Sequence, residues 1–215
     1  MNNNLKKRTL TSITLLSLLF LIFNYNIFMI YFIILFGVLS LIEFFQITKK
    51  IFLNKFYYYL INSFFIIYIF IFCIMFFILS NVSGLKIILF ILLIGCVASD
   101  IGGFIFGKIL KGPKLTNISP KKTISGSVGS ILLTILFFCL FFLYLDQSLG
   151  YRILITALAT SIFCQLGDLI FSFLKRKAGL KDTGKILPGH GGVLDRLDGI
   201  LLGMPIGFLT LTLLH

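Results

Sequence analysis

The residues best suited to chemistry fall between positions 168 and 198. Asp168, Ser172 and Lys175 follow one another at spacings of four and three. On a helix that spacing lines up a carboxylate, a hydroxyl and an ammonium along one face. Asp195 and Asp198, three apart, share the face of a second helix, where a negative charge in the first turn also suits the helix dipole. Carboxylates converging in an apolar setting call for a hard divalent cation held by oxygen ligands, magnesium foremost. Between the two sets runs "KRKAGLKDTGKILPGHGGVLDRLD" (175–198). Its glycines, Gly184, Gly189, Gly191 and Gly192, allow unusual backbone conformations and let main-chain amides approach an anion. The helix that begins just after them is expected to aim its free amides and positive dipole end at the same place. Lys175, Lys181 and Lys185 add charge, and Arg176 and Arg196 can clamp a phosphate in bidentate fashion. His190, the one histidine besides the terminal His215, could donate to phosphate, act as an acid on a leaving group, or brace the loop. The loop is neither a Walker A sequence nor GxGxxG, so no nucleotide fold follows from motif. What it predicts is a polyphosphate and metal site.

Two upstream stretches extend this inventory. "SPKKT" (119–123) offers the hydroxyls of Ser119 and Thr123 and the charges of Lys121 and Lys122, with Pro120 stiffening the turn. "DIGGFIFGK" (100–108) sets Asp100 beside glycines that permit tight helix packing, which would bring Asp100 toward the later aspartates.

The elements that must position these groups are transmembrane helices. Hydrophobic residues make up 59% of the 215 and charged residues 12%, about half the share usual in a soluble domain. Apolar runs at about 9–23, 27–45, 57–79, 87–107, 128–145, 152–174 and 194–214 predict about seven spans, all helical because a spanning segment must satisfy its own backbone. The expected fold is an all-α polytopic membrane bundle, one catalytic domain over 1–215. The amino terminus has the basic flank and apolar core of a secretory signal without a small-x-small cleavage site, and is expected to stay as an uncleaved first span. With that terminus placed in the cytoplasm, 17 of the 19 lysines and arginines fall on the inner side, leaving Lys86 and Arg152 outside. Topology and attraction to anionic lipid headgroups therefore account for the formal charge of +12 without nucleic acid. The long polar loops 108–127 and 175–198 share the cytoplasmic side, so the chemistry is expected to face the cytoplasm from the cell membrane. Cys73, Cys96, Cys139 and Cys164 each stand alone in apolar runs, which suggests neither a zinc site nor a disulfide framework.

The run from Ser172 to Asp198, S-F-L-K-R, four residues, then K-D-T-G-K-I-L-P-G-H-G-G-V-L-D-R-L-D, resembles the signature of the phosphatidate cytidylyltransferases, or CDP-diacylglycerol synthases. "SPKKT" and the stretch from Asp100 to Lys108 resemble that family too, so the likeness covers roughly residues 95–200. Two details depart from it: Ile124 and Ser125 stand where relatives usually carry an aromatic and a glutamate, and Gly103 and Phe104 where they tend to have Ala-Tyr. The resemblance implies a multi-pass membrane enzyme, commonly a homodimer, that joins CTP and phosphatidate to give CDP-diacylglycerol and pyrophosphate with Mg2+. It assigns Asp168 and Asp195 to the metal site, with Asp198 in support, and Lys175 and Lys181 to the chemistry; the residues themselves add Asp100 to the candidate metal ligands and His190 to the candidate catalytic groups. Substrate binding is expected from Ser172, Arg176, Asp182, Arg196, Ser119, Lys121, Lys122, Thr123, Gly191 and Gly192.

The reaction suits the residues. A phosphomonoester is largely dianionic at neutral pH, so phosphatidate needs no strong general base to act as a nucleophile. Two other readings remain open at this stage: a CTP-using polyprenol or phytol kinase, which would release CDP instead of pyrophosphate, and a cation-coupled transporter. Against the transporter, the polar residues gather in loops on one side instead of meeting at the midplane.

Overall fold

The computed structural model describes residues 17, 24–116, 118–145, 150–184, 186 and 191–214. Among these, regular structure is helical: α1 (Asn26–Ile51), α2 (Lys55–Asn81), α3 (Ser83–Leu110), α4 (Ile124–Tyr144), α5 (Tyr151–Lys177) and α6 (Leu194–Leu213). All six are long and apolar enough to cross a membrane. The predicted runs from 27 onward each coincide with one helix, and most helices extend beyond the run because polar end residues continue the backbone ladder after the apolar stretch stops. The predicted span over 9–23 falls outside the described residues, Ser17 excepted.

Local sequence explains the ends. The Asn54 side chain accepts the Phe56 amide at 2.9 Å and caps α2, and Thr123 caps α4 by accepting the Gly126 amide at 3.1 Å. Lysines close α1 (Lys49, Lys50), and a basic triplet (Lys175, Arg176, Lys177) closes α5, where cations complement the dipole.

The chain forms two compact units, neither continuous in sequence. The first comprises residues up to Ser83 together with Leu174–Leu197. In it α1 and α2 pack side by side, with the Phe44 and Phe65 rings stacked at 3.7 Å between centroids and the buried Thr48 hydroxyl donating to Asn62 Oδ1 at 2.9 Å. Lys177 lies over the Phe52 ring, 5.7 Å from its centroid, tying the end of α5 to the end of α1.

The second unit comprises Gly84–Phe173 and Asp198–His215. Small residues let its helices approach closely, as lipid-embedded helices require when no hydrophobic drive distinguishes protein from lipid. A Cβ placed on Gly102 of α3 would lie 2.5 Å from the Gly129 carbonyl oxygen of α4. Polar side chains bridge the same helices: Ser99 and Ser161 meet at 3.0 Å, and Ser127 donates to Gln165 Oε1 at 2.5 Å. Between α3 and α4 the chain closes with an isolated antiparallel bridge, Lys114 to Thr123, which places the SPKKT turn at the mouth of α4.

The Gly102 contact generates a paired prediction. Gly102→Ala drives a methyl into backbone that cannot rotate away, and overpacking of this kind costs about 1–3 kcal/mol. Gly84, with nothing within 4 Å of its Cβ direction, is the control. In detergent thermal-denaturation scans Gly102→Ala lowers the midpoint, whereas Gly84→Ala leaves it unchanged or slightly raised.

Candidate active site

In the first unit Thr183 and the turn Gly192–Leu194 fold around two carboxylates. Asp195, in the first turn of α6, accepts from Lys175 Nζ on Oδ1 at 2.6 Å and from the Thr183 and Gly192 amides on Oδ2 at 2.8 and 3.0 Å. Both members of the Lys175–Asp195 pair keep only 10% of their side-chain surface exposed. Gly191, with φ of +86°, carries the chain past Asp195 in a conformation that favours glycine.

The second carboxylate is Glu43 of α1, 1% exposed. Its Oε2 accepts the Thr183 hydroxyl at 2.7 Å and the Leu194 amide at 2.8 Å, and its Oε1 accepts the Val193 amide at 3.0 Å. A Cβ on Gly192 would collide with Thr183 Oγ1 and both Glu43 oxygens, and one on Gly184 with Glu43 Oε1. Glu43 is not among the site residues expected from the sequence. The signal was the one that singled out Asp100 and Asp168, an acidic side chain inside an apolar span.

The expectation that the amides at the start of α6 are free for phosphate is therefore corrected. Gly192 is engaged by Asp195, and Val193 and Leu194 by Glu43. The glycines do let main chain approach anions, but the anions are the protein's own. Of the remaining loop residues, Lys181, Asp182, Arg176 and Arg196 are exposed, with Arg176 donating to the Leu180 carbonyl at 3.2 Å. His190 lies outside the described residues, as do Lys185 and Gly189.

In the second unit Asp168 forms an ion pair with Lys122 of the SPKKT loop and accepts the Ser172 hydroxyl at 3.2 Å. The spacing of four predicted the Ser172 contact, and the basic loop supplies the cation that an intramembrane carboxylate needs. Lys121 is exposed, Ser119 closes the turn by accepting the Lys122 amide at 3.0 Å, and the Thr123 hydroxyl serves as the α4 cap. Asp100 Oδ1 lies 3.8 Å from Cys164 Sγ of α5, and a Cβ on Gly199, the residue after Asp198, would lie 2.6 Å from the same sulfur. Asp198 Oδ1 additionally accepts the Gly199 amide at 2.9 Å.

A sequence profile described as the cytidylyltransferase family matches residues 8–214, nearly the whole chain. The chain belongs to the cytidylyltransferase family. Within that family it is similar to proteins named phosphatidate cytidylyltransferase from Staphylococcus epidermidis, 42% identical over 134 residues, and from Staphylococcus haemolyticus, 39% identical over 134 residues. A namesake from Staphylococcus aureus is 40% identical over the same length. Each alignment covers 61% of this chain and 51% of the relative, so the chain spans about half the length of the curated relatives it matches.

For this cytidylyltransferase-family chain the fit of a divalent cation can be judged from its donors. Within neither unit do three or more His, Cys, Asp or Glu side chains among the described residues gather into a metal-holding group. The chemistry nevertheless suits a hard ion. An ionised carboxylate offers about four lone-pair sites. Asp195 receives three donors and Asp168 two, so each retains capacity for a cation.

The Lys175–Asp195 pair yields the prediction of this section. Removing one partner of a buried pair leaves an uncompensated charge and costs about 3–5 kcal/mol. Lys175→Met is expected to lower the unfolding free energy of the detergent-purified protein by about that amount, with Lys175→Arg losing less than half of it.

Proposed function

We propose that this chain transfers the cytidylyl group of CTP to phosphatidate, giving CDP-diacylglycerol and pyrophosphate. The observation that carries the reading is the arrangement of the signature loop, in which Asp195 is fixed by Lys175, Thr183 and Gly192 beside a run of exposed cations. The relatives' name, phosphatidate cytidylyltransferase, supports phosphatidate as acceptor and a cytidylyl group as the moiety transferred.

In the proposed reaction an oxygen of the phosphatidate phosphate attacks the α-phosphorus of CTP. The bond from that phosphorus to the bridging oxygen breaks, and pyrophosphate leaves. The nucleophile is already ionised, so the protein's task is to orient the two phosphates and neutralise charge. Exposed Arg176, Lys181, Arg196 and Lys121 are proposed to bind the phosphate groups, Arg176 and Arg196 in forked contacts. Lys175 orients Asp195, and Lys122 does the same for Asp168. Ser172 braces the Asp168 carboxylate by donating to it.

Magnesium is proposed as the cofactor, held by ligands drawn from Asp168 and Asp195 with Asp198 and Asp100 in support. Bound there it supplies Lewis-acid stabilisation of charge developing on the phosphates. The segment 9–23 is proposed as a seventh span with the amino terminus in the cytoplasm, which places the site on the cytoplasmic face of the cell membrane. A homodimer within membrane lipid is the proposed assembly.

Purified protein supplied with labelled CTP, phosphatidate and Mg2+ is expected to form CDP-diacylglycerol and release one pyrophosphate per turnover. Omitting phosphatidate or chelating the metal stops it. Asp168→Asn and Asp195→Asn each reduce the rate at least 100-fold. Release of CDP with a phosphorylated lipid would instead identify a kinase, and wild-type rates in both Asn variants would remove these aspartates from the mechanism.

A further inference from the structure

We propose that Glu43 is a positioning residue whose buried carboxylate latches Thr183 and the turn Gly192–Leu194 onto α1 and so sets the place of Asp195. What the loop does rests on the cytidylyl-transfer reading. The latch itself rests on hydrogen bonds alone.

Donors to the two carboxylates alternate along the chain. Thr183 gives its hydroxyl to Glu43 at 2.7 Å and its amide to Asp195 at 2.8 Å. Gly192 gives its amide to Asp195, and the next two residues give theirs to Glu43 at 3.0 and 2.8 Å. Neither carboxylate can lose its donors without disturbing those of the other. Glu43 lies eight residues before the end of α1, about 12 Å along the axis at 1.5 Å per residue, so the anchor is set well inside the helix instead of at its frayed end. Only glycine fits at 184 and 192, because a Cβ at either would strike the Glu43 carboxylate. A carboxylate 1% exposed binds amides in a low-dielectric setting, where such bonds are strong and a missing partner is costly. Asp195 can hold its Lys175 contact only while the turn that carries it is kept in place.

Three variants test this. Glu43→Gln keeps the shape of the side chain but replaces one acceptor with an NH2 group that faces the loop donors. Thr183→Val removes the hydroxyl at constant shape, and Thr183→Ser restores it. The first readout is hydrogen–deuterium exchange on purified protein without metal or substrate. In Glu43→Gln and Thr183→Val the amides of Thr183 and Gly192–Leu194 are expected to exchange at least tenfold faster, with those of α2 unchanged and Thr183→Ser close to wild type. The second readout is kinetic: kcat for cytidylyl transfer falls at least tenfold while KM for phosphatidate moves less than threefold. Unchanged loop exchange, exchange raised equally in α2, or wild-type kcat despite a loosened loop would each overturn the proposal. If Glu43→Gln does not fold, the Thr183 pair decides. If wild-type protein turns over no CTP with phosphatidate, the reaction reading falls, and loop exchange still judges the latch.

Discussion

An ionised carboxylate carried into an apolar helix must be met by donors, and the donors that meet Glu43 are those that shape the signature loop. The first amides of α6 would otherwise be unsatisfied, as at any helix start. Glu43 satisfies two of them, and its negative charge suits the positive end of the helix dipole. One contact thus serves the helix and the buried acid together. The close glycines follow from it, since a side chain at 184 or 192 would occupy the space of the carboxylate. The position of Asp195 follows in turn, because Thr183 serves both carboxylates.

The two ion pairs differ in kind. Lys175 and Asp195 are each 10% exposed, whereas Lys122 and Asp168 keep 26% and 31% of their side-chain surface open. A pair as open as the second contributes little to stability, about 0–1 kcal/mol, while breaking the first strands a buried charge. Lys175 is therefore bound into the architecture of the loop. Lys122 holds Asp168 by a more open and weaker contact, which leaves that carboxylate easier to re-partner.

Much of the membrane architecture was legible because length and hydropathy are enough to mark a helix that must pair its own backbone. The helical spacing of Asp168 and Ser172 survived as a real hydrogen bond, since i to i+4 neighbours meet whatever the tertiary surroundings. Glu43 was not legible as part of the site. It stands about 140 to 150 positions from its partners, and a lone acid in a greasy run says that a partner exists without saying which. The glycines were legible as places of close approach but not as to what approaches. Thr123 shows the same limit: its hydroxyl was visible as a polar group beside lysines, and the structure spends it on an N-cap.

The Gly192, Val193 and Leu194 amides at the start of α6 are occupied by the protein's own carboxylates. Under the proposed reaction, phosphate binding falls to exposed side-chain cations, Arg176, Lys181 and Arg196. This division has a physical advantage. Backbone amides engaged by buried carboxylates are already spoken for, whereas long basic side chains can follow a phosphate through a change of shape. A loop that had to use the same amides both to hold its fold and to grip a polyphosphate would lose one function whenever it performed the other. Under the proposed reaction, separating the two lets the latched turn carry Asp195 and the basic side chains carry the substrate phosphates, as positioning and charge neutralisation require.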